Sequence, residues 1–189
     1  MNTKSVLLVA VLWLCVPVRA DAASIDWVGM NLGGGAQVFN PGAENAYGLT
    51  FTRAYAQGDL LLFNFRFARW YLTAVELHPV IWIGYVGGGS RAGLRLPLGG
   101  SHELRVGLFA GMDVVLFHIN AWHPTLSLRP HLQYVYSTRI GSVGVGIDGL
   151  LNFHMRSSMR GHDGNTADVP AGLYGVGFYL RWTVGRTQL

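Results

Sequence analysis

Between Glu103 and Phe117 the sequence reads ELRVGLFAGMDVVLF, and the alternate positions Leu104, Val106, Leu108, Ala110, Met112, Val114 and Leu116 are all apolar. The intervening positions are Glu103, Arg105, Gly107, Phe109, Gly111, Asp113, Val115 and Phe117. A period of two sustained over this length specifies an extended strand with one apolar face. It also outlasts the usual globular strand of roughly five to six residues. The second face mixes charge with glycine, which suits a strand with lipid on one side and a narrow polar interior on the other.

The beginning of the chain is different. Lys4 precedes an apolar run from Val6 to Val18, followed by Arg19, Ala20, Asp21, Ala22 and Ala23. A basic start, an apolar core of about a dozen residues and a small-x-small site form a secretory signal peptide, so residues 1–22 are expected to be removed and 23–189 to form one barrel domain. The run is shorter than the roughly 20 residues a spanning helix needs. Cys15 is the single cysteine; it lies inside this segment, behind the bulky Leu14, so no lipoprotein site is expected. Without it the mature chain has no disulfide, no thiol nucleophile and no thiolate metal ligand. Lys4 is also the single lysine, and the arginines are spaced singly, which leaves no basic patch for nucleic acid. The stretch from Leu72 to Gly89 is broken by Glu76, His78 and Pro79. A closed barrel then remains as the way to cross a bilayer with every backbone group satisfied.

Seven further strands follow from the same alternation. The first is Trp27 to Val38, with Asn31, Gly33, Gly35 and Gln37 on the polar face, and the second is Ala46 to Tyr55, with Thr50 and Thr52 inward and Arg53 on the lipid side near the strand's end, where it snorkels to the interface. A tight Gln57-Gly58-Asp59 turn leads to a third strand, in which Asn64 and Arg66, then Trp70, Leu72, Ala74 and Glu76 point inward. That phase puts Arg69 outward, which requires a rim position or a bulge. The fourth strand, Tyr85 to Leu98, turns Arg91, Gly93 and Arg95 inward. The sixth, Leu126 to Tyr136, turns Ser127, Arg129, His131 and Gln133 inward. The seventh, Gly141 to His154, turns Asp148, Asn152 and His154 inward, and the eighth, Tyr174 to Val184, turns Tyr179 and Arg181 inward. The expected fold is therefore all-β: an eight-stranded antiparallel up-and-down transmembrane β-barrel. Connections after the second, fourth and sixth strands are tight and the others mostly longer, so both termini are expected in the periplasm.

This alternation, the turn asymmetry and the last strand, Tyr174 to Val184, resemble the small bacterial outer-membrane barrels of the OmpA, OmpX and opacity-protein type. The resemblance covers essentially the whole mature chain. It implies outer-membrane localisation, with membrane lipid and lipopolysaccharide as partners. Those barrels usually end on an aromatic residue, whereas this chain continues past Trp182 to Leu189. No appended peptidoglycan-binding domain is expected.

The interior set is Arg66, Glu76, Arg91, Arg95, Glu103, Arg105, Asp113, Arg129, His131, Asp148 and Arg181. Eight strands leave room for little beyond side chains, and unpaired buried charge is costly, so these residues are expected to form a charge-paired structural plug. If Arg139 and Ile140 form the turn between the sixth and seventh strands, His131 lies opposite Asp148 and Ser127 opposite Asn152. A Ser127, His131, Asp148 arrangement is the type used in nucleophilic catalysis, as in outer-membrane lipid A deacylases and acyltransferases. Ser127 and His131 are, however, separated by roughly 13 Å along the strand, and a structural His131–Asp148 hydrogen bond is the plainer expectation. His118, His123, His154 and His162, with Asp163 and Asp168, gather near the outer rim but lack metal-ligand spacing; neither metal nor cofactor is expected. Trp27, Tyr55, Trp122, Tyr134, Tyr136 and Trp182 read as interfacial belts. The expected role is non-enzymatic, in envelope structure or surface interaction, with loop 155–170 as the site for an extracellular ligand. A lipid A-modifying enzyme and a soluble lipocalin-like barrel, whose sidedness would be reversed, are the alternatives.

Overall fold

Long strands with unpaired edges invite aggregation, and closure is the solution that removes the edges altogether. A computed structural model of the chain describes residues 23–39, 52–78, 85–118, 121–154, 158–160, 166–168 and 172–189. Its main strands are β1 (Ser24–Phe39), β2 (Thr52–Phe67), β3 (Trp70–His78), β4 (Tyr85–Gly99), β5 (His102–His118), β6 (Ala121–Ser137), β7 (Gly141–His154) and β10 (Gly172–Gln188). Each pairs antiparallel with its neighbour, and β1 pairs with both β2 and β10, which closes an eight-stranded up-and-down barrel. The short strands β8 (Ser158–Arg160) and β9 (Thr166–Asp168) form a separate hairpin between β7 and β10. The expected signal segment, 1–22, lies outside the described residues, as does most of loop 155–170.

Ser24, Gln188 and the connections at 68–69, 100–101 and 138–140 share one end of the barrel; Phe39, His78, His118 and His154 end their strands at the other. The connection at 119–120 is as brief as the turns at the opposite end, so His118 and His123 belong to paired strands.

The Gln57-Gly58-Asp59 turn is not formed. Strand β2 runs through these residues, pairing Gln57, Gly58 and Asp59 with Gly33, Leu32 and Asn31, and the chain reverses instead at Ala68 and Arg69. Gly and Asp are turn residues in most strands because the faces of those strands are apolar. Here the inner face is polar, and Asp59 is an inward strand residue, buried and hydrogen-bonded by Asn31 and Gln57. The phase of β3 changes with it: Tyr71 and Thr73 are buried, whereas Trp70 is 58% exposed, so Trp70, Leu72 and Ala74 do not form the inward set. A bulge between Thr73 and Glu76 then restores the inward position of Glu76. The expected second strand from 46 to 51 lies outside the described residues.

The bulge belongs to a larger seam. In β1 the buried positions shift phase between Asp26 and Gly29, and in β2 between Leu61 and Asn64. Trp27 and Phe63 occupy the two gaps, both outward, with their rings edge-on at 6.0 Å. Phe63 has φ of 57°, unusual for a bulky residue. The seam runs across three strands and turns Asp26, Asn64 and Arg66 toward the interior.

Inside, aromatic rings lie against glycines of neighbouring strands. A Cβ at Gly93 would stand 2.9 Å from Tyr71 Oη, and one at Gly89 would stand 2.8 Å from the tip of the Phe109 ring. The Tyr179 ring covers Gly146 in the same way. These contacts explain why glycine recurs on the polar face. Gly107→Ala is expected to destabilise the detergent-refolded barrel by about 1–3 kcal/mol through overpacking on Tyr71. Tyr71→Phe in the same chain removes the nearest side-chain atom and should recover part of that loss, the remainder coming from the backbone of Ala92, as read by urea unfolding.

Candidate functional site

Strands β1 to β7 and β10 each send charged side chains into the barrel, and all eleven residues of the sequence-derived interior set point there. They gather in distinct groups.

The most enclosed group centres on Arg91 of β4. Its Nε and Nη2 donate to Glu76 Oε2 and Oε1 at 2.8 and 2.7 Å, and Nη1 and Nη2 donate to Asp148 Oδ1 and Oδ2 at 2.9 and 3.2 Å. One guanidinium thus forks two carboxylates, the geometry that makes arginine suited to buried pairing. Arg91 and Glu76 are fully inaccessible to solvent. The rings of Phe109 and Tyr179 face the Arg91 guanidinium at 5.8 and 5.4 Å.

Toward the end with the termini, the ratio is reversed: three guanidiniums share one carboxylate. Glu103 accepts from Arg95 at 2.6 and 2.8 Å, from Arg105 at 2.6 Å and from Arg66 at 3.1 Å. Arg95 also donates to the carbonyls of Phe67 and Ala68, which ties the β2–β3 turn to the group. Asp26 is forked by Arg186 at 2.7 and 2.8 Å and accepts from Thr183 at 2.6 Å. A cavity of about 600 Å³ opens beside these groups, lined by Arg66, Arg95, His102, Glu103, Tyr136 and Arg186 among others.

Toward the opposite end, Asp113 accepts from Arg129 at 2.8 Å. His78, the last residue of β3, lies between Asp59, 2.6 Å from its Nδ1, and Asp113, 4.0 Å from its Nε2. Ligand atoms of Asp59, Glu76 and His78 all fall within 4.8 Å of one another, and all three residues are buried. Among the described residues this is the group of three such side chains that lie this close together.

The Ser127, His131, Asp148 trio is not brought together. The register is the one expected, with His131 opposite Asp148 and Ser127 opposite Asn152. Yet His131 Nε2 contacts the hydroxyl of Tyr71, Asp148 is held by Arg91, and Ser127 accepts from Arg129 at 3.3 Å. The expected His131–Asp148 hydrogen bond is therefore replaced, because a guanidinium satisfies the carboxylate better than an imidazole does. Arg181 donates to Asn64 at 2.7 Å and to Thr73.

Asp26, Asp59, His78, Thr73 and Tyr71 were not in the sequence-derived set, and Asn64 was read as inward but given no part in it. Asp59 was missed because it was read as a turn residue, whereas His78 does end its strand. Continuing the β2 alternation back from Asn64 would have found Asp59 only with the seam at Phe63 taken into account. The rim residues His162 and Asp163 lie outside the described residues.

Comparison of the chain with protein-family models, with curated proteins and with solved structures gives no match. The geometry alone carries the functional reading.

The two arginine arrangements make opposite predictions. Arg91→Leu leaves Glu76 and Asp148 buried without their shared partner and should cost about 3–5 kcal/mol. Arg66→Leu removes one of three cations from Glu103 at a partly open site and should cost under about 1 kcal/mol. Unfolding in urea, followed by tryptophan fluorescence, separates the two.

Proposed function

We propose that the protein is an integral outer-membrane β-barrel of a Gram-negative envelope, acting without enzymatic chemistry in a structural or surface-interaction role. The observation that carries this reading is the sidedness of the barrel. Charged and polar side chains occupy the interior, with Arg91, Glu76, Asp113 and Arg181 at 0–1% exposure. The outer wall instead presents Leu32, Leu108, Met112, Phe178 and Leu180, at 44% exposure or more. A water-soluble surface rarely carries a continuous apolar patch beyond a few hundred Å², and this wall extends around the strands. A lipocalin-type barrel would need the reverse arrangement.

Further features fit the same reading. Trp27, Trp70, Tyr134 and Tyr136 are outward and exposed toward the end that carries the termini, where an aromatic girdle would meet the headgroups. The Trp27 indole N–H donates to Thr187 at 3.0 Å, so its polar edge is satisfied there. That end faces the periplasm in this account. The other end, with the β8–β9 hairpin inside the 155–171 connection, faces outward and is the place for an extracellular ligand. Membrane lipid and lipopolysaccharide cover the wall. The interior is a plug in which arginines, carboxylates and aromatic rings fill the space that eight strands enclose.

Heat-modifiability tests the proposal. The mature chain refolded in detergent is expected to give a β-rich circular dichroism spectrum and to change mobility on a gel when boiled. A chain that is monodisperse without detergent and shows no boiling-dependent shift overturns it in favour of a soluble barrel.

A further inference from the structure

The imidazole of His78 is held in a way the charge-paired plug does not use. Its Nδ1 lies 2.6 Å from Asp59 Oδ1, which fixes that nitrogen as the donor and leaves the lone pair of the neutral ring on Nε2. Nε2 faces Asp113 Oδ1 across 4.0 Å, and neither atom has a hydrogen-bond partner, although His78 is 5% and Asp113 1% exposed. That separation is too long for a hydrogen bond, and two electron-rich atoms do not face each other in a buried site without positive charge between them. A tetrahedral ion at about 2.0–2.2 Å from a nitrogen and an oxygen ligand holds those two atoms roughly 3.4 Å apart, so the two side chains close by about 0.6 Å onto a bound ion. Gly87 stands beside Asp113 Oδ1, where a Cβ would press on that oxygen, so the glycine keeps the gap open.

Charge points the same way. Asp59, Glu76, Asp113 and Asp148 crowd this part of the interior, and Arg91 and Arg129 are the guanidiniums that pair with them. Arg181, which has no carboxylate of its own among its hydrogen-bond partners, faces Glu76, so one negative charge is left over, and a cation between His78 and Asp113 offsets it.

We infer that the gap between His78 and Asp113 is a binding site for a divalent first-row transition-metal ion of the zinc type. His78 Nε2 and Asp113 Oδ1 are the direct ligands. Asp59 holds the other ring N–H, as a carboxylate behind a metal-bound histidine commonly does, and Glu76 supplies a neighbouring carboxylate. Imidazole with carboxylate suits zinc, copper or nickel. The site lies inside the barrel and does not depend on what covers the outer wall.

Cobalt(II) is the probe. The untagged mature chain, refolded with Co²⁺ and freed of excess ion, is expected to retain one ion per chain and to show the visible absorption of Co²⁺ with a nitrogen ligand. His78→Gln and Asp113→Asn should abolish both signals, Asp59→Asn should weaken binding about 10–100-fold, and His102→Gln at the mouth should leave it unchanged. Circular dichroism checks that each variant is folded, and the unsubstituted protein decides the matter if one is not. A folded parent chain without bound Co²⁺ overturns the inference, meaning that a proton or a water occupies the gap. So does binding that survives in folded His78→Gln.

Discussion

Arg91 holds two carboxylates from different strands at once, Glu76 of β3 and Asp148 of β7, in a part of the interior that water does not reach. Desolvating three charges is costly, and the cost is met only where every donor and acceptor finds a partner. The surrounding arrangement supplies those conditions. Closure through β1 and β10 brings strands together that are far apart in sequence. Inward glycines let the Tyr71, Phe109 and Tyr179 rings lie flat against the wall, sealing the central pairs. With the charges turned inward, the alternate side chains of the same strands must be apolar and point out. The membrane reading follows from that inversion.

The two ends of the interior are charged differently. Near the termini Arg66, Arg95 and Arg105 converge on Glu103, so cations are in excess. Around His78 carboxylates are in excess. Arg91 lies in the second of these regions. Such a gradient along a narrow interior is a natural setting for ions: cations belong beside Asp59 and Asp113, and the mouth beside Arg66 and Arg186 carries the opposite charge.

How far the sequence could be read depended on whether a strand keeps one phase. Strand β5 alternates without interruption: of its inward set Glu103, Arg105, Phe109 and Asp113 are buried, with Gly107 and Gly111 half-buried between them. The β6–β7 register was legible for the same reason, since a short turn with known ends fixes every pair that follows. The phase errors lay in β2 and β3 and at the start of β1. There the seam at Trp27 and Phe63, a positive φ and the Thr73–Glu76 bulge each shift the phase, and Gly58 and Asp59 carry turn chemistry within a strand. Local rules could not see that a polar interior legitimises such residues. The pairing of His131 was missed for a different reason: register identifies what lies opposite, but Tyr71 and Arg91 reach across the barrel from other strands.

The central claim is that this barrel keeps its charges within and meets lipid with its outer wall. Because the single cysteine lies in the segment expected to be removed, nitroxide labels can be placed one at a time along β5 in the chain reconstituted into liposomes. Labels at Val106, Leu108, Ala110 and Met112 are predicted to collide readily with oxygen and hardly at all with a water-soluble nickel chelate, as acyl chains require. Ready access of the nickel chelate to these four positions, with no preference for oxygen, would contradict the account.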